Sequence, residues 1–162
     1  MERILVAADG LTEEQFNICG HAGHGSIRDT LIHVIETEQS WSLWFSGELS
    51  SGEAIAHRID RDRVQDLAGV HREWEEANHR TQATIEGMSE DDFSRELPLE
   101  VPHRPTRHFP LWKLMIHVAN HGTQHRSEVA AMLTEHGCSP GFLDMLWYMT
   151  APSPGSARPV KE

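Results

Sequence analysis

Between residues 117 and 126 the chain reads His117-Val-Ala-Asn-His121-Gly-Thr-Gln-His125-Arg126. In a helix, residues four apart sit one turn up and only about 40° round, so His121 and His125 aim two imidazoles at one point. An HxxxH pair of this kind is a ready bidentate metal ligand, and helical zinc sites are built on the same logic. A third ligand must come from elsewhere. His33 is the best candidate, because it lies on the apolar side of the helix that follows Ser26, among Leu31, Val34 and Ile35, where a lone imidazole would be buried without a partner. The plain alternative stays open at this point. A core histidine more often hydrogen-bonds a backbone carbonyl than it binds a metal, and HxxxH also arises by chance in a His-rich chain.

Twelve histidines are the compositional outlier and suggest metal or proton chemistry somewhere. Other chemistries are poorly supported. A di-iron bundle needs two Glu-x-x-His motifs and two further glutamates, and only Glu76-Ala-Asn-His79 fits. Neither HExxH nor GxSxG occurs, which argues against a zincin protease or a serine hydrolase. Cys19, His21 and His24 share a short segment, but Gly-His loops of this kind are usually just solvated.

The elements that must hold these residues are helical. Residues 1 to 9 form a short helix through Ile4, Leu5 and Ala8, and Thr12 to Gln15 has the form of a capping box. Three glycines between Cys19 and Gly25 make that stretch a loop. Ser26 then caps a long amphipathic helix that runs to Gly47. Gly47 to Ile59 is polar and irregular, a second long helix spans about Asp62 to Glu86, and Gly87 ends it. Met88 to Phe109, with Pro98, Pro102 and Pro105, is a long non-helical excursion with room for a short strand pair. Excursions of that length commonly cover a site. Pro110 at the first helical position opens the third long helix, which stops at Gly137. A short helix follows over Phe142 to Met149. The fold class is therefore all-α, with one domain over residues 1–150 and a disordered tail over 151–162.

Composition excludes several function classes. A net charge of -11, with no basic cluster beyond Arg58, Arg61 and Arg63, opposes nucleic-acid binding. No apolar run approaches the length of a membrane span, and the apolar start Ile4 to Ala8 is too short for a signal peptide. A cytoplasmic location follows. Cys19 and Cys138 are far apart and outside any CxxC arrangement, so both are expected to be reduced thiols.

Two blocks also carry a resemblance. Ser26-Ile-Arg-Asp-Thr-Leu-Ile-His33, continuing through Glu38 to Trp41, resembles the second-helix signature of the DinB-like metal-binding four-helix bundles. The run His117 to Val129, followed by Gly137, Pro140 and Leu143-Asp144, is similar to that family's second block. The match spans residues 2 to 149 in the right order. It implies an up-down-down-up type four-helix bundle with a long Pro-rich connection before the last long helix, and one divalent metal ion held by His33, His121 and His125. His117, one turn earlier, is then left to support the ligands or line the pocket. Two departures stand out: the first helix is short, and Ser127 replaces the usual glycine after His-Arg.

Three neutral imidazoles leave at least one coordination position open, the pattern of a catalytic rather than a structural metal. The resemblance further implies a metal-dependent transferase that uses a low-molecular-weight thiol, or a hydrolase, acting on small electrophiles, with His117, Arg126 and Glu38 as candidate catalytic groups and the Met88 to Phe109 excursion shaping the mouth. The alternative is a non-catalytic, stress-related metal-binding module. All-nitrogen ligation accepts zinc, nickel, copper or iron, with zinc, nickel or iron expected here. A first helix of about nine residues covers the core poorly, so a homodimer is expected.

Overall fold

The structure, a computed structural model, describes residues 1–19 and 24–150. The centre of the expected loop, residues 20–23, and the expected tail, 151–162, lie outside the described residues.

The chain begins with α1 (Glu2–Ala8), whose Ile4, Leu5 and Ala8 are buried. In α2 (Glu13–Asn17) the capping box forms: the Gln15 amide donates to Thr12 Oγ1 at 3.2 Å and the Thr12 amide donates to Gln15 Oε1 at 2.9 Å. Ser26 caps α3 (Ile27–Phe45), accepting from the Asp29 amide at 3.0 Å. The stretch Gly47 to Ile59, expected to be irregular, contains α4 (Ser51–Ala56). Its cause is another capping box, Ser50-x-x-Glu53, in which the Ser50 amide donates to Glu53 Oε2 at 2.8 Å.

The second long helix also starts later than its apolar pattern suggests. Arg61–Val64 is a separate 3-10 turn, and α5 (Leu67–Glu86) begins where the Asp66 carboxylate accepts from the Gly69 amide at 2.7 Å. The turn folds tightly onto this first helical turn. A Cβ at residue 69 would stand 2.3 Å from the Arg63 carbonyl oxygen, so the close approach requires glycine.

After a 3-10 turn at Asp91–Ser94, β1 (Glu96–Leu99) and β2 (Arg107–Pro110) pair antiparallel, with Leu97 opposite Phe109 and Leu99 opposite Arg107. The molecule is thus mostly helical, with a small two-stranded sheet in the excursion where the sequence left room for a strand pair. The hairpin delivers the chain into α6 (Leu111–Glu135), with Pro110 as the capping residue rather than the first helical one. Gly137, at φ 77°, follows the C-cap in the left-handed conformation. The last element, α7 (Met145–Thr150), begins three residues after the expected start.

Helix α3 packs on both α5 and α6, and α1 packs on α6 and α5. Ile4, Leu31, Ile35, Val70, Val129 and Leu133 form the main core, and a second cluster around Trp44, Leu97, Leu111 and Leu114 lies toward the hairpin. Truncating one such fully buried side chain costs about 2–5 kcal/mol. That cost fixes how α3 and α6 are rotated, and so where their histidines point. Among the described residues, no helix is long and apolar enough to cross a membrane.

Candidate metal centre

Helical geometry explains the graded burial of the α6 histidines. Val129 and Leu133 anchor the helix in the core, and His125, four residues before Val129, remains close to that stripe and is only 7% exposed. Each step back of four residues turns about 40° away, so His121 is half-buried and His117 is exposed. The sequence pattern treats the three as equivalent. Packing against α3 separates them.

His33 needs a correction. Leu31 and Ile35 are fully buried, but at about 100° per residue His33 lies some 160–200° from either. It is half-buried on a polar stripe with Asp29, Glu36, Thr37 and Ser40, not within the apolar face. The reason is that α3 is flanked by neighbours on two sides, and its third side borders a cleft.

From these two helices three rings converge. His33 Nε2 is 3.3 Å from His121 Nε2, and His125 Nε2 is 3.2 Å from the same atom. On its far side, His125 Nδ1 donates to Glu128 Oε2 at 2.7 Å. Partial burial alone would raise the Glu128 carboxyl, but the hydrogen bonds from His125 and Gln124 hold it below its ordinary value. An ionised carboxylate only accepts, so the neutral His125 ring carries its proton on Nδ1 and turns a lone pair inward. His121 Nε2 therefore faces two imidazole nitrogens with at most one proton to offer.

That donor set suits a cation. A tetrahedral ion with metal–nitrogen bonds of about 2.0–2.1 Å sets its ligand nitrogens about 3.3–3.4 Å apart, close to the separations found. Protons are disfavoured: burial first, then the rings of His24, His125 and His121 and the Arg58 guanidinium, push His33 down to about 4. Burial and His125 likewise lower His24 and His121. Lone pairs are thereby kept for ligation.

His24, expected to be a solvated loop residue, joins this group. Its ring stacks on His33 with centroids 3.8 Å apart, and His24, His33 and His125 each offer a nitrogen within 4.8 Å of the others. These three residues could hold a metal ion, and His121 adjoins two of them. The only local signal for His24 is its place in a His-rich, Gly-rich segment two residues before a helix cap.

The cluster opens on a cleft of about 590 Å³. Its far wall is α4 and the segment His57 to Arg61, so the mouth is shaped there and not by Met88 to Phe109. That excursion instead braces α4, with the Glu100 amide donating to Ser51 Oγ at 3.0 Å. Within the cleft, Arg61 pairs with Asp29 at 3.4 Å and with buried Glu36 at 3.5 Å.

The remaining candidates lie apart from the convergence point. The His117 ring packs against Trp41, with centroids 5.3 Å apart, and is 6.1 Å from the His121 ring. Arg126 folds back over Gly122, where a Cβ would stand 2.6 Å from Nη1, and its Nη2 donates to Thr123 Oγ1 at 3.1 Å. Burial raises the Glu38 carboxyl and lowers the Arg126 guanidinium, and the attraction between the two opposes both shifts. They influence each other electrostatically across α3 and α6, and neither lines the cleft.

The sequence profile of the DinB family matches residues 2–156. Protein DinB of Bacillus subtilis (strain 168) is 25% identical over 126 residues, which is 76% of this chain and 72% of that protein.

Proposed function

Since the chain belongs to the DinB family, we propose that His33, His121 and His125 hold one divalent metal ion, zinc, nickel or iron, in a transferase that joins a low-molecular-weight thiol to a small electrophile. Hydrolysis of such an electrophile is the sister activity of the same site. The observation that carries this reading is the convergence of three Nε2 atoms, at 3.2 and 3.3 Å, beside an open cleft. A divalent ion there would supply a Lewis acid that lowers the pKa of a thiol or a water molecule.

The chain's own groups do the rest. Glu128 fixes the His125 tautomer and ring orientation. The cleft has room for a small molecule, and its wall carries Trp41 and Ile55 as apolar contacts. Arg58 donates to the carbonyl oxygens of Ile55 and His57 and, among the described residues, forms no ion pair, so it is available to an anionic group on the substrate. In the transfer, the thiol sulfur forms the new bond to carbon, the leaving group departs with the electron pair of the broken bond, and the thiol proton passes to solvent.

The same reading takes α1, α3, α5 and α6 as an up-down-down-up four-helix bundle, supported by the packing of α3 and α1 on the other two. It also takes the protein as a cytoplasmic homodimer. Two free cysteines fit a reducing compartment, and Trp112 and Ile116, exposed on α6, offer apolar surface for association. The test of activity is to mix metal-loaded protein with glutathione, bacillithiol or mycothiol and a panel of electrophiles, and to detect adducts by mass. Adduct formation that needs both the metal and His121 supports the reading. One metal per chain with no adduct or hydrolysis product across the panel leaves the non-catalytic module.

A further inference from the structure

Resting on that metal reading, we propose that His24 is a fourth protein ligand of the same ion, closing it from the cleft side until an incoming molecule displaces it. His24 stands outside α3, just before Gly25 and the Ser26 cap. Gly25 adopts φ 95°, in the left-handed region, and so turns the chain back over the start of the helix. The His24 ring then stacks on His33, with planes 23° apart, and meets His125 edge-on at a centroid distance of 5.0 Å. Four imidazoles from α3, α6 and the segment before α3 thus face one small volume.

Distance and chemistry both fit. The nitrogens of His24, His33 and His125 lie within 4.8 Å of one another, and a tetrahedral site needs about 3.3–3.4 Å. Ligation requires a rotation of the side chains that closes this difference. The neighbours of His24 have other partners: Asp29 bonds Ser26 and Arg61, and Arg28 donates to the Val64 carbonyl oxygen at 2.8 Å. Among the described residues, no hydrogen bond accounts for the position of His24. Exposure then ranks the four rings. His125 is buried, His33 and His121 are half-buried, and His24 is exposed and lines the cleft. It is the ligand a cleft-borne molecule reaches first and the one with room to leave. The resting ion then has four protein ligands, and an incoming thiol or water molecule takes the place of His24.

The experiment compares the wild-type chain with His24→Ala and His24→Gln, each loaded with zinc. Zinc affinity is read by chelator competition, and the number of bound imidazoles by X-ray absorption at the zinc edge. All three proteins are expected to hold one zinc per chain, with four imidazoles in the wild type and three in the variants. Losing a ligand costs at least the roughly 10- to 100-fold that follows loss of a hydrogen-bond partner to a ligand, and free imidazole restores part of it in His24→Ala alone. Gln, similar in size but without a ring, behaves as Ala if ligation is the cause. Equal affinity and equal imidazole counts across the three would overturn the fourth ligand while leaving the three-histidine site intact. A wild-type chain without stoichiometric zinc would overturn the metal reading itself, and this proposal with it.

Discussion

Two polar regions adjoin α3, and they are assembled in opposite ways. Toward the 3-10 turn at Arg61–Val64, unlike charges meet. Arg61 bridges Asp29 and Glu36, and Arg63 holds Glu73 at 2.8 Å and Glu76 at 2.9 Å. Toward α6, like groups meet, with imidazole nitrogens at 3.2 and 3.3 Å and the Glu128 carboxylate at the rim. The first arrangement pairs its own charges, because a carboxylate as buried as Glu73, 3% exposed, is tolerated beside a guanidinium, although its Oε1 and that of Glu36 make no aligned hydrogen bond. The second does not. Gathered lone pairs gain nothing from one another, so they mark a place that a cation completes. Charges that neutralise each other are architecture, and gathered donors that lack a cation point to function.

The sharpest way to break the comparison is to remove one member from each side. In a His24→Ala background, His121→Ala and His125→Ala are each expected to abolish stoichiometric metal binding, because two imidazoles remain, whereas Glu73→Gln keeps one ion per chain by elemental analysis. Retention of the ion by either double variant would sink the ligand assignment. Stability should answer in reverse. Glu73→Ala strips the Arg63 guanidinium of its buried partner and is expected to cost about 1–3 kcal/mol in urea unfolding, with metal content unchanged. No change in midpoint would show that the pair is ornamental.

Glu128→Gln separates ligand from orienting group. It should weaken metal affinity by roughly 10- to 100-fold without changing stoichiometry. Unaltered affinity would mean that the carboxylate does not set the His125 tautomer.

Acid should then tell the two regions apart in the metal-free chain. His33 stands at about 4 in the folded state, against an ordinary value of 6.5, so between those values the unfolded chain binds the extra proton. Stability is full above about 6.5 and falls as the pH drops toward 4. With zinc bound the fall is steeper, because protons must also expel the ion. Melting curves with zinc and with chelator test this, and coincident profiles would refute a shared ion. The smallest effect is expected at His117. Exposed and packed on Trp41, it should change metal affinity on replacement by alanine by less than the roughly tenfold expected of a ligand's hydrogen-bond partner. A loss like that of His121→Ala would place it in the coordination sphere.

Much of this protein is local and was therefore legible from the residues alone. The Ser26 cap, the Thr12–Gln15 capping box, the stop at Gly137 and the HxxxH pair all rest on groups within four positions of each other, where helical geometry leaves little choice. The Ser50–Glu53 box was equally local, and a polar composition masked it. What only the tertiary structure decided are relations across distance. His33 and His121, 88 residues apart, meet because buried Leu31, Ile35 and Val129 set the rotation of α3 and α6. Periodicity alone placed His33 on the wrong face, since it says how apolar positions repeat and not how many neighbours a helix has. His24 belongs to no periodic element at all. Only the turn at Gly25 and the position of α3 beside α6 bring its ring onto the others, and neither is written in any short stretch of residues.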